Sequence, residues 1–362
     1  MPEDRKATAL LELHRRLGAR LTEFSGWEMP LQYSGVIAEH RAVREAAGLF
    51  DVSHLGKLRI RGSDGGRALQ HAVTADVTGL DVGRASYALV LTEDGGAVDD
   101  LFVYRIADEE WLVVPNAANV GAVASCIRAS GGEPEDEWDR WTILALQGPR
   151  SFEKFDTAFP GTGALELTLH SWKFADLSGE QTMVARTGYT GEVGFELYVP
   201  SGAGVEIFTR LLDVGVAPVG LGARDTLRLE MGYALYGHEL TREINPLEAK
   251  LGWAIDWAHD FRGRERVLEV KQTGARRTLV GVACSGRGIP RQGHEVHRDG
   301  AVVGAVTSGN FSPTLGTGIA LALVEADAGV ERGDRIEVAA RERMIAGDIV
   351  KPPFIRKPRA QE

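Results

Sequence analysis

The sequence predicts an α+β protein that ends in a small all-β barrel or sandwich. Three observations lead there. Between residues 57 and 130 the order strand, helix, three strands, helix describes an α+β unit built around an antiparallel sheet. Residues 142 to 262 repeat a similar alternation. After Gly274, short strands follow one another between Gly-, Asp- and Pro-rich turns. With 362 residues the chain is long enough for two or three domains. A linker near Lys271 to Arg277 marks the expected boundary.

The elements follow from local patterning. Residues 7 to 18 read as a helix, with Leu10, Leu11, Leu13 and Leu17 as its apolar stripe. A second helix runs from Val36 to Ala47 and stops at Gly48. Lys57 to Arg61 alternates as a strand does, and Gly65 to Ala72 reads as helical. Strands at Ser86–Thr92 and Ala97–Ile106 flank a hairpin turn at Glu93-Asp94-Gly95-Gly96. Trp111–Val114 is a further strand, and Asn116–Ser130 a helix. In the second half, Thr142–Gln147 is a buried strand. Gln181–Ala185 and Gly194–Val199 are strands around a Gly-rich turn, and Gly204–Leu212 and Ala223–Ala234 are helical. The C-terminal strands are Thr278–Ala283, Glu295–His297, Ala301–Thr307, Ile319–Val324 and Arg335–Ala339.

Composition narrows the function. Hydrophobic residues make up 44% and charged residues 25%, the mix of an ordinary globular chain. A net charge of −10 provides no basic surplus for nucleic-acid phosphates, so an anionic ligand has to be held by local arginines. Cys126 and Cys284 are far apart and form no CxxC, and no paired-histidine metal spacing occurs; a metal site is not expected. The charged N-terminus lacks the apolar run of a signal peptide. No stretch of about 18 apolar residues is present, so no membrane span is expected and the cytoplasm is the expected location.

Three constellations carry potential chemistry. The first is Gly95-Gly96-Ala97-Val98-Asp99-Asp100-Leu101-Phe102-Val103-Tyr104. Strand alternation sends Asp100 to the face of Phe102 and Tyr104, and Asp99 to the face of Leu101 and Val103. Either a bulge or strand entry solvates both carboxylates, or the inward one requires a hydrogen-bonding partner or a ligand. The second runs from Arg186 to Leu197, with glycines at 188, 191 and 194. Glu196 alternates there with Phe195 and Leu197, so it either pairs internally with an arginine or accepts two parallel N–H bonds from a planar heterocycle such as a pterin or guanine edge. The third is Gly220-Leu221-Gly222-Ala223-Arg224-Asp225-Thr226-Leu227-Arg228-Leu229-Glu230. Arg224 and Arg228 share one helix face near its start, where they hold a carboxylate or form a solvated face paired with Asp225 and Glu230. His54 and His238 read as hydrogen-bonded core histidines. Dinucleotide, P-loop and covalent-nucleophile motifs are missing from the sequence.

Beyond these readings the sequence resembles the glycine cleavage T-protein family over nearly its whole length. The matching segments are Phe24-Ser25-Gly26-Trp27-Glu28-Met29-Pro30-Leu31, Phe50-Asp51-Val52-Ser53-His54, Gly95 to Leu101, Gln147-Gly148-Pro149, Arg186 to Glu192 and Gly220 to Asp225. They continue with Asn245-Pro246-Leu247-Glu248, Leu251-Gly252-Trp253, Thr307-Ser308-Gly309, Phe311 to Leu315 and Val350-Lys351-Pro352-Pro353-Phe354. It is their order and spacing together that make the resemblance specific.

The resemblance implies a three-domain cloverleaf around a central folate channel, with a C-terminal all-β barrel. The expected division is 1–50 with 140–262 as a discontinuous first folate-binding domain, 51–139 as a ferredoxin-like α+β domain, and 275–357 as the barrel. It also implies an enzyme that moves an aminomethyl carbon from the lipoyl arm of H-protein to tetrahydrofolate and releases ammonia. The family's catalytic aspartate maps to Asp100, its pterin-binding glutamate to Glu196 and its ligand-binding arginine to Arg224. Residues around the folate map to Tyr87, Tyr104, Asn116, Tyr189 and Tyr233, with Arg356 as a further candidate. Tetrahydrofolate enters as acceptor substrate, without a metal. Three positions depart from the family pattern: His170 in place of a tyrosine, Lys250 in place of a glycine, and Leu55 in place of a methionine. Two alternatives share the same fold: a folate-dependent demethylase of a small methylated donor, and a non-catalytic folate-binding protein. A folate-binding iron–sulphur maintenance protein would need a Lys-Gly-Cys-Tyr type motif, which this sequence lacks.

Overall fold

The structure, a computed structural model, describes residues 5–286, 288–340 and 343–356. Trp141–Gln147 is an almost uninterrupted apolar run, and it becomes an interior strand, hydrogen-bonded between Gly194–Pro200 and Gly48–Asp51. Both of its faces are covered, which is why it shows no alternation of polar and apolar residues. The full six-stranded sheet adds Glu180–Ala185 and Trp172–Leu177 beyond one edge, and Ala217–Val219, parallel, beyond the other. On one face Leu144, Leu146, Phe195 and Leu197 pack against Phe155 and Phe208 of the helices Ser151–Ala158 and Gly204–Asp213.

The opposite face meets a second sheet. Ala85–Leu91, Ala97–Ala107, Glu110–Val114, Leu58–Arg61 and Glu135–Asp136 form five antiparallel strands in that order. Tyr104, Leu112 and Val114 of this sheet share a core with Phe50, Ile143, Ala145 and Tyr198 of the first. Its outer face, with Leu101 and Val103, is covered by the helices Gly62–Ala72 and Val120–Ala129. The strand Ala97–Ala107 therefore presents alternate side chains to a helix-packed core and to the space between the sheets.

A closed six-stranded barrel follows, with strand order Arg277–Cys284, Thr317–Glu325, Ala301–Ser312, Glu295–Arg298, Arg335–Ala340 and Arg343–Val350. Closure leaves no open sheet edge. The register of Ala301–Ser312 shifts between Val306 and Ser308, and Ser308 then reaches the helix Leu221–Glu230 through Arg228. Glu230, the last residue of that helix, accepts hydrogen bonds from Arg44, Ser312 and Thr314, while its carbonyl accepts from the Phe354 amide. The barrel is thus fastened by buried polar contacts that need every partner in place.

Several elements differ from the local patterning. The first helix spans only Leu11–Arg16, because Lys6–Ala7 pairs instead with Trp27–Glu28 and Gly18 takes φ +74°. Asn116 is extended rather than helical, and the α-helix begins at Val120 after a 3₁₀ turn. The helix expected to reach Ala234 ends at Glu230, just before Gly232 turns at φ +70°. The strands Arg20–Phe24, Trp27–Gln32, Trp172–Leu177 and Arg343–Val350 and the helix Arg264–Thr273 are not signalled by short-range periodicity. Cys126 and Cys284 are both free and buried.

Candidate functional site

A cavity of about 170 Å³ lies where the two sheets face each other, closed by the helix Leu221–Glu230 and by residues 234–236. Asp100, Tyr87, Tyr104, Asn116, Tyr189, Glu196 and Arg224 all line it. Segments more than a hundred residues apart in sequence thus bring together most of the candidate residues.

The two aspartates separate as strand alternation requires. Asp99 is fully buried and accepts from the Asn116 amide and from the side chains of Asn116 and Asn119. Asp100 faces the cavity; its Oδ2 accepts from the Tyr87 hydroxyl at 2.9 Å and its Oδ1 from Asn116 Nδ2 at 3.1 Å. A solvated strand entry is therefore ruled out for both. Asn116 sits outside the helix because its side chain bridges the two carboxylates. Burial pushes the Asp100 carboxyl up to about 6, although Tyr87 and Asn116 pull the other way. Burial, then the neighbouring Asp100 charge, pushes Asp99 up as well.

Glu196 shares its strand face with Tyr198, away from Phe195 and Leu197. Its Oε2 accepts from Thr187 at 2.5 Å and from Tyr104 at 3.3 Å, and the Tyr198 hydroxyl in turn donates to Tyr104. Among the described residues Oε1 has no hydrogen-bond partner, and no arginine is within ion-pair distance of Glu196. The internal ion pair is thus not formed, and one carboxylate oxygen is left for a ligand. The glycines of the loop serve close packing within the protein: Gly191 takes φ +81°, and a Cβ on Gly194 would come within 2.2 Å of the Leu146 carbonyl oxygen.

The two arginines of the helix play different parts. Arg228 is 1% exposed and fully engaged by Asp225, Glu239, Ser308 and the Tyr233 carbonyl. Glu230 pairs with Arg44 and His40 rather than with Arg228. Arg224 lies over the Tyr189 ring at 4.7 Å and has no carboxylate within ion-pair distance among the described residues. It is the cation the cavity offers to a ligand oxygen.

Two candidates are placed elsewhere. Tyr233 stacks behind Tyr189 at 5.8 Å and does not line the cavity. Arg356 is exposed and likewise outside it, two residues beyond the point where the Phe354 amide is tied to the Glu230 carbonyl. Other residues join the lining without having been assigned to the site: Phe24, Leu55, Phe102, Tyr198, Tyr236 and His54. His54 was expected as a hydrogen-bonded core histidine; it is buried, but its Nδ1 has no partner among the described residues. His238 does behave as a structural histidine, with Nδ1 at 2.9 Å from the Thr307 carbonyl oxygen. His170 stands edge-on to Phe102 at 5.5 Å, one layer behind the cavity wall.

A larger cleft of about 970 Å³ lies between the N-terminal strands and the helix Val120–Ala129. Its carboxylates are occupied locally, Glu23 by the Gly26 amide and Asp136 by the Trp138 amide, so it lacks a comparable constellation. No group of three or more His, Cys, Asp or Glu suited to a metal occurs among the described residues.

The geometry can be set beside known proteins. Residues 10–259 match the family model of the GCVT N-terminal domain, and residues 277–355 that of the glycine cleavage T-protein C-terminal barrel domain. The chain is 45% identical to an aminomethyltransferase of Mycobacterium bovis, with 96% of each chain covered. It is 43% identical to one of Herpetosiphon aurantiacus, covering 97% of this chain and 98% of that protein. The fold superimposes on the glycine cleavage system aminomethyltransferase T of Bartonella henselae with a TM-score of 0.91 at 33% identity, covering 97% of this chain and 98% of that one. With both family models matched in order and full-length relatives above 40% identity, the chain belongs to the glycine cleavage T-protein family.

Proposed function

We propose that this chain is an aminomethyltransferase of the glycine cleavage system, moving an aminomethyl carbon from the lipoyl arm of H-protein to tetrahydrofolate with release of ammonia. The observation that carries this reading is the Asp100 carboxylate, set in the cavity wall and held at both oxygens by Tyr87 and Asn116. The named relatives support the same activity.

The residues fit the proposed acceptor. A pterin edge presents parallel N–H donors, and Glu196 offers a carboxylate whose Oε1 is unbonded among the described residues. Arg224 offers a guanidinium with no carboxylate partner among the described residues to an oxygen beside that edge. Tyr87, Phe102, Tyr104 and Tyr189 supply aromatic walls. At about 170 Å³ the cavity is smaller than the roughly 300–1,000 Å³ of a typical ligand pocket, so it admits the ring system and leaves the tail at the mouth.

When bound, tetrahydrofolate supplies the nitrogens that take up the carbon. Asp100 orients those nitrogens and stabilises positive charge as it develops on the transferring carbon, and the surrounding rings exclude water, so the charge acts in a low dielectric. Asn116 and Tyr87 keep the carboxylate in a single rotamer. Among the described residues no helix is long and apolar enough to cross a membrane; a cytoplasmic location forms part of the proposal. The deciding experiment follows transfer from lipoylated H-protein to tetrahydrofolate by purified protein. Turnover that needs both partners is expected, and turnover of a small methylated donor without H-protein would overturn the assignment.

A further inference from the structure

His54 is the one buried polar side chain lining the cavity with a nitrogen that has no partner among the described residues. It is 3% exposed, and Phe24 meets its ring edge-on at 5.4 Å. Neither ring nitrogen has a hydrogen-bond partner among the described residues, and of the two only Nδ1 is sealed, which leaves Nε2 as the polar atom of this ring open to the cavity. Among the described residues neither an acceptor nor a donor lies beside Nδ1. Because an orphaned buried N–H is less tolerated than an unused acceptor, the tautomer expected of the neutral ring carries its proton on Nε2. Burial, then the nearby Arg224 charge, pushes the imidazole down to about 3, so the ring is neutral at pH 7.

We propose that His54 is a binding residue of this cavity, donating its Nε2–H to the same folate oxygen that Arg224 holds. A cation and a neutral donor on one wall define a site for a carbonyl or carboxylate oxygen. Arg224 supplies the charge, while His54 supplies direction without adding a second charge to be buried. The inference rests on the folate reading above and adds a residue to it.

Two measurements test it. In His54→Leu the KM for tetrahydrofolate is expected to rise about 5- to 10-fold with kcat within about 2-fold, and His54→Gln, whose amide nitrogen falls near the position of Nε2, is expected to recover most of the loss. In wild-type protein labelled with ¹⁵N-histidine, His54 is expected to show the Nε2–H tautomer, with its Nε2 resonance shifting as tetrahydrofolate is added. A structural role alone would lower the melting temperature of His54→Leu while leaving KM and that resonance unchanged, and this result overturns the proposal. If His54→Leu does not fold, the wild-type spectrum and His54→Gln decide. Wild-type protein that binds no tetrahydrofolate defeats the folate reading, and this inference with it. Wild-type protein that binds folate with an unmoved His54 resonance defeats this inference alone.

Discussion

The Tyr87 hydroxyl donates to Asp100 Oδ2 at 2.9 Å from the neighbouring strand, so the ring and the carboxylate form one unit in the cavity wall. Tyr87 in turn stacks on Trp253, which is 69% exposed, at 5.3 Å. Asp100→Ala is expected to lower kcat about 100- to 1,000-fold while changing folate affinity far less, since charge stabilisation acts mainly in the transition state. Equal losses in kcat and affinity, measured by steady-state kinetics and equilibrium titration, would point to a plain binding role.

The same hydrogen bond sets a pH dependence. With the Asp100 carboxyl raised to about 6, activity that needs it ionised is lost as the pH falls through that value. The Tyr87 bond favours the ionised form, so Tyr87→Phe is expected to move the acidic limb of the kcat profile upward and to lower kcat at pH 7 about 5-fold. An acidic limb that stays in place in Tyr87→Phe contradicts the assignment.

Stability should respond with the opposite sign to that of an ordinary surface carboxylate. The folded-state value of Asp100 lies above its usual 3.8, so the native state binds the extra proton, and stability declines as the pH rises from about 4 to 6. Asp100→Asn is expected to be more stable than wild type by about 1–3 kcal/mol at pH 7, with the gain vanishing near pH 4. Thermal unfolding at the two pH values checks this, and a gain independent of pH counts against it.

Glu196→Ala is expected to weaken tetrahydrofolate binding about 10- to 100-fold, because a charged acceptor for the pterin N–H groups is lost. Isothermal titration measures it, and unchanged affinity removes Glu196 from the site.

Lys250 takes φ +61°, a left-handed backbone that favours glycine. It is exposed, so its side chain offers little packing to offset the strain. Lys250→Gly is expected to stabilise the protein by about 0.5–1 kcal/mol, since left-handed backbone disfavours a Cβ by more than glycine loses in unfolded-chain entropy. A lower unfolding midpoint in denaturant contradicts this.

Much of the molecule was legible from residue order alone. The run Thr142–Gln147, the hairpin around Gly95-Gly96 and the short-strand rhythm after Gly274 are local patterns, and each became the element it predicted. Alternation alone placed Asp99 and Asp100 on opposite faces, because a strand's period of two does not depend on what surrounds it. The motif spacing identified the family, since its segments persist in order along the chain.

Tertiary structure decided what those faces meet. No local rule tells that Glu196 gains Thr187 and Tyr104 rather than an arginine, that Arg228 is consumed by Glu239 while Arg224 has no carboxylate partner among the described residues, or that His54 borders the cavity with Nδ1 unbonded among them. A strand such as Gly48–Asp51 owes its existence to partners far along the chain, Trp141–Gln147 and Ala217–Val219. The physical reason is the same throughout: a side chain's direction follows from its own backbone, whereas its burial, charge state and hydrogen bonds depend on groups that only folding brings within a few ångströms.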